Sequence, residues 1–266
     1  MPTEIENSQY LSVVMPAFNE EGSIAAVVHK VIAIPFVLEV VIVDDCSTDR
    51  TREIAERLAT DHDQVKLIRH ERNRGKTAAL RTGIAATRGD IVIVQDADFE
   101  YDPSEIAGVI RPILDGHADV VFGSRFLVRR ATRVLYFYHY LANKFLTFIS
   151  NLLTNLNMTD IETGYKAFRG DIIRNMVIVS SGFGFEVEAT AKVAKLGCPI
   201  YEVPISYYGR TYDEGKKIGM TDGLLALWLV LRFNLFCSLS SSYRGLPVTN
   251  LPLAHKRATL PKEKTS

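Results

Sequence analysis

The 266-residue chain has three cysteines, one tryptophan and no net charge, its 31 Lys and Arg residues balanced by 31 Asp and Glu. Each scarcity excludes something. Cys46, Cys198 and Cys237 are too few for a disulfide framework, and they form neither a CxxC pair nor a Cys/His cluster with metal-ligand spacing. A reducing, cytoplasmic setting is the expectation, and the sequon Asn157-Met158-Thr159 is then accidental. Without a basic excess nothing advertises nucleic acid, and none is expected as a partner. The opening MPTEIENSQY carries acids where an export signal carries positive charge and then an apolar run. No GxGxxG comes after the first apolar run, which argues against a dinucleotide-dependent oxidoreductase. Gly75-Lys76-Thr77 imitates the end of a phosphate-binding P-loop, but His70 stands where its first glycine belongs. The histidines are scattered, no nucleophile elbow accompanies them, and no long internal repeat is evident.

What is present is a rhythm. Short Val- and Ile-rich runs at 11–15, 39–43, 65–68, 91–95 and 119–123 alternate with segments of helical spacing. Ile24, Val27, Val28, Val31 and Ile32 form one such segment, and Ile54, Ala55 and Leu58 form another behind a capping Asp49. Residues 76–87 and 103–114 supply two more, the second opening with a proline suited to a first turn. Strands separated by helix-length connections predict an α/β fold, a Rossmann-like and mostly parallel sheet flanked by helices. Composition turns aromatic and aliphatic over 128–157, behind Arg129, Arg130 and Arg133, and 199–208 reads as a strand. The apolar stretch 224–239 is shorter than the roughly 20 residues that span a bilayer and is interrupted by Arg232 and Asn234. It is predicted as a C-terminal amphipathic helix at a membrane interface, with Trp228 and Phe233 at headgroup level and a buried core helix as the plainer alternative. The expected units are a tail 1–10, a main domain 11–218, this apolar helix within 219–239, and a flexible tail 240–266.

Open parallel sheets bind ligands beyond the carboxyl ends of their strands, which directs attention to the residues just after each run. Asp96-Ala97-Asp98 closes one strand and Glu100 lies two residues on, a spacing that lets carboxylates reach one Mg²⁺ or Mn²⁺. A capped turn before Pro103 is the bland reading of the same residues. Asp44-Asp45 closes another strand, where a carboxylate can accept from ribose hydroxyls or ring N–H groups. Capping by Ser47, Thr48 or Asp49 explains those three residues but not both aspartates.

The ordered segments LSVVMPAFNEE (11–21), VVIVDDCSTDRT (40–51), NRGKTAALRTGIAATRGDIVIVQDAD (73–98) and GSRF (123–126) resemble glycosyltransferase family 2, whose members have the GT-A fold. TDIETGYKAFR (159–169), FGFEVE (183–188) and EVPISYYGRTYDEGKKI (202–218) are similar to the branch of dolichol-phosphate mannose synthases and bacterial polyprenyl-phosphate glycosyltransferases. The resemblance implies that Pro16, Phe18, Glu20 and Asp45 bind the nucleoside, with Asp44 beside them. It implies that Asp96, Ala97, Asp98 and Glu100 form the donor and metal segment, Asp96, Asp98 and Glu100 acting as ligands and Asp98 as a catalytic group. Arg125 matches the position that meets an acceptor phosphate, and Arg210 and Lys216 match a loop covering the donor diphosphate. A solvated basic loop is the plain reading of Arg210, Lys216 and Lys217, against which Gly209, Gly215 and Gly219 favour a mobile lid.

The implied activity is inverting, metal-dependent transfer of a hexose from a nucleotide diphosphate sugar, of GDP-mannose or UDP-glucose type, to a polyprenyl phosphate. The enzyme would sit peripherally on the cytoplasmic membrane face, with a membrane protein as a possible partner. A phosphate acceptor is largely anionic at neutral pH and calls for positioning, whereas a hydroxyl acceptor calls for a base. Transfer to a glycan or lipid hydroxyl is the alternative, with Glu186 or Asp160 as that base. A nucleotide-sugar-binding scaffold without turnover is the third reading, and both acidic pairs argue against it.

Overall fold

The computed structural model describes residues 9–127, 133, 136–209, 220–247 and 249. Its strands are β1 (Leu11–Ala17), β2 (Val37–Asp44), β3 (Val65–Arg69), β4 (Ile91–Val94), β5 (Val120–Ser124), β6 (Lys166–Arg169) and β7 (Ile200–Pro204). They form one seven-stranded sheet in the order β3-β2-β1-β4-β6-β5-β7. Every pairing is parallel except those of β6, which runs antiparallel to both β4 and β5. The mostly parallel sheet is as expected; the reversed β6 is not, because a four-residue KAFR carries no direction in its pattern.

Helices α1 (Ile24–Ile32), α2 (Thr51–Asp61), α3 (Lys76–Ala86) and α4 (Ile106–Leu114) fall where periodicity places them. Asp49 accepts from the Thr51 N–H, and Asp102 accepts from Ser104 ahead of a short 3-10 turn, Pro103–Glu105. Then come α5 (Phe137–Thr154), α6 (Gly170–Asn175), α7 (Phe185–Leu196), α8 (Met220–Leu235) and α9 (Leu239–Ser242). Alternation along the strands divides the core. Val13 and Met15 join one cluster with Ile24 and Val28 of α1 and Val109 of α4. Val14 joins the other with Leu80 of α3, Val187 of α7 and Val230 of α8. On α3, Gly83 is pressed so closely to the sheet that a Cβ would stand 2.5 Å from Val14 Cγ1.

Helix α8 is two-faced. Leu229, Val230 and Phe233, spaced to share one side, are buried, while Leu224, Leu225, Trp228 and Leu235 are exposed. Phe233 is therefore a core residue, 1% exposed with the Lys192 ammonium 5.3 Å from its ring centre, and not the interfacial group expected of it. Among the described residues no helix is long and apolar enough to cross a membrane.

Away from the strand ends, Glu39 of β2 is fully buried and accepts from the Ser12 hydroxyl (2.7 Å), the Arg88 N–H (2.7 Å) and Lys66 (2.6 Å). Burial alone would raise its pKa, but these hydrogen bonds hold it below the usual glutamate range. A depressed carboxyl stabilises the fold above its unfolded pKa and ceases to do so as pH falls through the folded value. Glu39→Gln is expected to cost about 1–3 kcal/mol at neutral pH. It should also flatten the acid side of the Tm-versus-pH curve, measured by thermal melts from neutrality to below the glutamate range.

Candidate active site

Parallel strands β1, β2 and β4 deliver their carboxyl ends to one edge, and β5 ends there too. Because β6 is reversed, its entrance and not its exit reaches the same edge, bringing the segment 160–164 with it. A cavity of about 400 Å³ occupies this edge. The loops after β1 and β2 are stitched together: Thr48 N–H donates to Asn19 Oδ1 and Glu20 N–H to Thr51 Oγ1. Pro16, Phe18 and Glu20 thereby form one wall.

The two aspartates after β2 part company. Asp45 lines the cavity, but its carboxylate is occupied by His70 Nδ1 at 2.6 Å and by the N–H groups of Arg74 (2.9 Å) and Gly75 (2.7 Å). It fixes the turn into α3, where Gly75 has a φ of +84° that favours glycine. Asp44 is buried, accepts from Ser47 N–H and does not line the cavity; it closes a turn. His70 is clamped between Asp45 and Thr82 Oγ1, and no sequence signal marks it because its partners are distant along the chain.

Asp96, Ala97, Asp98 and Glu100 line the cavity beyond β4. Lys76, the first residue of α3, pairs with Asp96 at 2.9 Å and with Glu186 at 3.3 Å. No P-loop surrounds this lysine, yet it belongs to the site. Gly164 lies so near that a Cβ would stand 3.1 Å from both Asp96 Oδ2 and Lys76 Nζ. Asp98 Oδ1 accepts from Glu100 N–H, and the Glu100 side chain accepts from the Tyr207 hydroxyl at 3.2 Å. Burial pushes the Tyr207 hydroxyl up to about 12, so it stays a donor. Among the described residues no three His, Cys, Asp or Glu side chains make a ready-made metal cage. Mg²⁺ and Mn²⁺ sites of the phosphate-bridging kind need only one or two carboxylates beside substrate oxygens. The hard oxygens of Asp96 and Asp98 on one wall fit that requirement.

Arg125, just past β5, meets Asp160 in a bidentate fork, Nε to Oδ2 at 2.7 Å and Nη2 to Oδ1 at 2.8 Å. Burial alone would disfavour both charges, but each holds the other ionised: Asp160 lies below the usual aspartate range and Arg125 above the ordinary guanidinium value. Asp160 is fully buried in this pair and cannot serve as a base. A guanidinium has more N–H donors than one carboxylate takes, and Arg125 faces the cavity.

Two further glutamates line the cavity. Burial, and then the charge of Glu186, push the Glu162 carboxyl up to about 7. Glu162 Oε1 and Glu186 Oε2 are shut off from water without a hydrogen-bond partner. Below them Lys166, fully buried, donates to the carbonyls of Ile161 (3.0 Å) and Thr163 (2.6 Å); burial pulls it down to about 8. Arg133 donates to the Gly209 carbonyl at 3.1 Å, whereas Arg129, Arg130, Arg210, Lys216 and Lys217 lie outside the described residues.

A second cavity, about 550 Å³ and mostly apolar, runs between α5 and α8 and shares Glu162, Gly182 and Phe183 with the first. The two spaces thus adjoin across these three residues.

The model of Glycosyl transferase family 2 matches residues 12–177. The chain belongs to that family. It is a glycosyltransferase. The enzyme is 27% identical over 225 residues to the polyprenol monophosphomannose synthase of Mycolicibacterium smegmatis, covering 82% of this chain and 84% of the relative. With the undecaprenyl-phosphate mannosyltransferase of Micrococcus luteus it shares 29% identity over 221 residues, 77% and 86% of the two chains. Its fold matches glucosyl-3-phosphoglycerate synthase from Mycobacterium tuberculosis, solved with Mn²⁺, UDP and phosphoglyceric acid. The TM-score is 0.67 at 22% identity, over 85% of this chain and 79% of that one. The GT-A architecture of this glycosyltransferase is thereby established.

The fork makes a stability prediction. Asp160→Asn and Arg125→Ala should each cost about 3 kcal/mol, since each strands a buried charge, and the double variant little more than either. Denaturant unfolding of the four-member cycle checks this; additive losses would show that the pair is not coupled.

Proposed function

We propose that this glycosyltransferase transfers a hexose, with inversion, from a nucleoside diphosphate sugar to a polyprenyl phosphate at a membrane surface. The observation that carries this is the adjacency of the two cavities: a carboxylate-lined chamber at the strand ends shares Glu162, Gly182 and Phe183 with an apolar groove between α5 and α8. The first suits a nucleotide sugar, the second a long aliphatic acceptor, and Arg125 lies in the first. Two relatives named for polyprenol- and undecaprenyl-phosphate mannosylation support the same acceptor class.

In this reading Pro16, Phe18 and Glu20 bound the nucleoside, and Asp45 acts through the backbone turn it holds. Asp96 and Asp98, with Glu100 beside them, would hold Mg²⁺ or Mn²⁺, which stabilises negative charge on the departing diphosphate. The amino end of α3 adds its dipole to that stabilisation. The acceptor phosphate arrives already anionic, so no base is required. Arg125, its plane fixed by Asp160, neutralises and orients that phosphate for attack from the face opposite the leaving group. Arg210 and Lys216, which lie outside the described residues, would neutralise the donor diphosphate.

The membrane face is formed by the exposed flanks of the groove. Phe137, Tyr138, Phe145, Phe148 and Leu152 of α5 and Leu224, Leu225 and Trp228 of α8 are all exposed, an apolar patch suited to headgroups and upper acyl chains. The enzyme would sit there from the cytoplasmic side, alone or beside a membrane protein.

Incubation with a panel of radiolabelled nucleotide sugars, polyprenyl phosphate and Mg²⁺ or Mn²⁺ should move label into the organic phase. Label confined to water-soluble products would refute the acceptor class. Asp98→Asn should lower turnover at least about a hundredfold in a folded protein. Arg125→Ala should raise the KM for the acceptor more than for the donor, read from kinetics with each substrate varied in turn. Trp228→Ser, which leaves the buried Phe233 intact, should weaken binding to anionic liposomes without changing nucleotide affinity; unchanged liposome binding would remove α8 from the interface.

A further inference from the structure

Helices α3 and α7 meet by their amino ends, and Thr77 joins them. Its N–H and its hydroxyl both donate to the Gly182 carbonyl at 2.9 Å, and the hydroxyl accepts from the Phe185 N–H at 3.1 Å. The first N–H groups of a helix have no partner inside it, so one fully buried residue satisfies the starts of two helices. The next residues in the wall, Lys76 and Glu186, pair at 3.3 Å. Four positions on along α3, Arg81 donates to the Ile178 carbonyl at 3.2 Å. From α7, the buried Glu188 accepts from the N–H groups of Val179 (2.9 Å) and Ser180 (2.8 Å), and its partner Lys192 donates to the Val177 carbonyl. The segment 177–185 is thus pinned along its backbone by side chains of two helices. What the pinning presents is Phe183, which is 45% exposed and, with Gly182, is the part of this segment that lines both cavities.

We infer that Thr77 is a positioning residue: through Gly182 and Phe185 it holds Phe183 at the junction of the two cavities, where the ring steers the acceptor phosphate to the sugar and keeps water from it. This rests on the polyprenyl-phosphate reading and extends it to a residue that lines neither cavity. Two nucleophiles compete for the anomeric carbon. When the acceptor attacks, its phosphate oxygen bonds to that carbon as the bond to the diphosphate oxygen breaks. When water attacks, the same bond breaks, the water oxygen takes the carbon, a proton passes to solvent, and free hexose leaves beside nucleoside diphosphate. Favouring the first outcome calls for an apolar surface at the junction, held in place, because misplacing reacting groups by about 1 Å can cost on the order of a hundredfold in rate. An exposed ring has little packing of its own to fix it, so its backbone must be held. The Gly182 carbonyl and the Phe185 N–H that Thr77 binds flank Phe183 on either side. Valine at this position keeps the branched shape and loses both hydroxyl bonds, whereas serine keeps the bonds.

The test uses the full chain with Mn²⁺, the radiolabelled nucleotide sugar that wild type consumes fastest, and undecaprenyl phosphate in detergent micelles. Label is separated into glycolipid and free hexose, and calorimetry measures nucleoside diphosphate affinity. Thr77→Val should raise the ratio of free hexose to glycolipid about tenfold and the acceptor KM about fivefold, while nucleoside diphosphate affinity shifts less than about threefold. Thr77→Ser should return both quantities to within about twofold of wild type. Phe183→Ala, at an exposed position, should give the same signature, and the double variant should add little to it. Glu39→Gln, which weakens the fold away from the strand ends, should leave the ratio unchanged and so controls for lost stability. Should Thr77→Val not fold, Thr77→Ala omits the same hydroxyl without the branch and carries the same expectations. A wild-type ratio and acceptor KM in the Val or Ala variant overturn the inference, as does an unchanged ratio in Phe183→Ala. So does a loss of nucleoside diphosphate affinity equal to the loss of acceptor use, or a Thr77→Ser enzyme as impaired as Thr77→Val, since either is a structural effect. A wild type that moves no label to undecaprenyl phosphate defeats the polyprenyl-phosphate reading and this inference with it, a result distinct from the others.

Discussion

Where β5 ends and the chain approaches β6, Arg125 and Asp160 close a two-bond fork in a place that water scarcely reaches. Isolated, either charge would be costly there; paired, each keeps the other ionised. The fork ties the residue just past one strand to the segment that leads into its reversed neighbour. It thereby sets the spacing between a cationic group and the carboxylates after β4. The same pairing removes Asp160 from the list of possible bases and leaves a cation whose plane is already set. In the proposed transfer the chamber accommodates two anions, and positive groups held by buried negative ones keep a strong net charge from repelling either.

Lys76 repeats the device on the other side. Its ammonium lies between Asp96 and Glu186, and burial, which would lower its pKa, is outweighed by these two carboxylates, so it stays cationic. Glycine at 164 leaves room for that pair, and the left-handed Gly75 lets α3 start where its first residue reaches the cavity. Polar balance is thus achieved within the walls, and beyond Glu162 and Phe183 the lining turns apolar along α5 and α8.

Much of this is legible in the sequence. Val and Ile runs with helical intervals mark the parallel part of the sheet, and the rule that ligands lie beyond strand ends gathers Pro16, Phe18, Glu20, Asp45, Asp96, Asp98, Glu100 and Arg125. That rule also explains the omissions. Glu162 precedes its strand instead of coming after it, and only the reversal of β6 brings it to the edge. Lys76 comes from the amino end of a helix, where it looks like an ordinary first-turn residue, and Glu186, weighed in the sequence only as a base, comes from the amino end of another. Asp44 and Asp45 look equivalent in a sequence, while alternation turns Asp45 toward the cavity and Asp44 into a turn. Phe233 is misplaced at the lipid because composition reveals that a helix is apolar but not which stripe the core takes.

The central claim is that the attacking atom is a phosphate oxygen of the acceptor, presented by Arg125 from the apolar side of the site. ³¹P NMR of a reaction mixture with polyprenyl phosphate follows that atom's own phosphorus. The account predicts that the phosphomonoester resonance is replaced by that of a sugar phosphodiester, in step with one equivalent of released nucleoside diphosphate. Sugar transfer or nucleoside diphosphate release with the monoester resonance unchanged would contradict it.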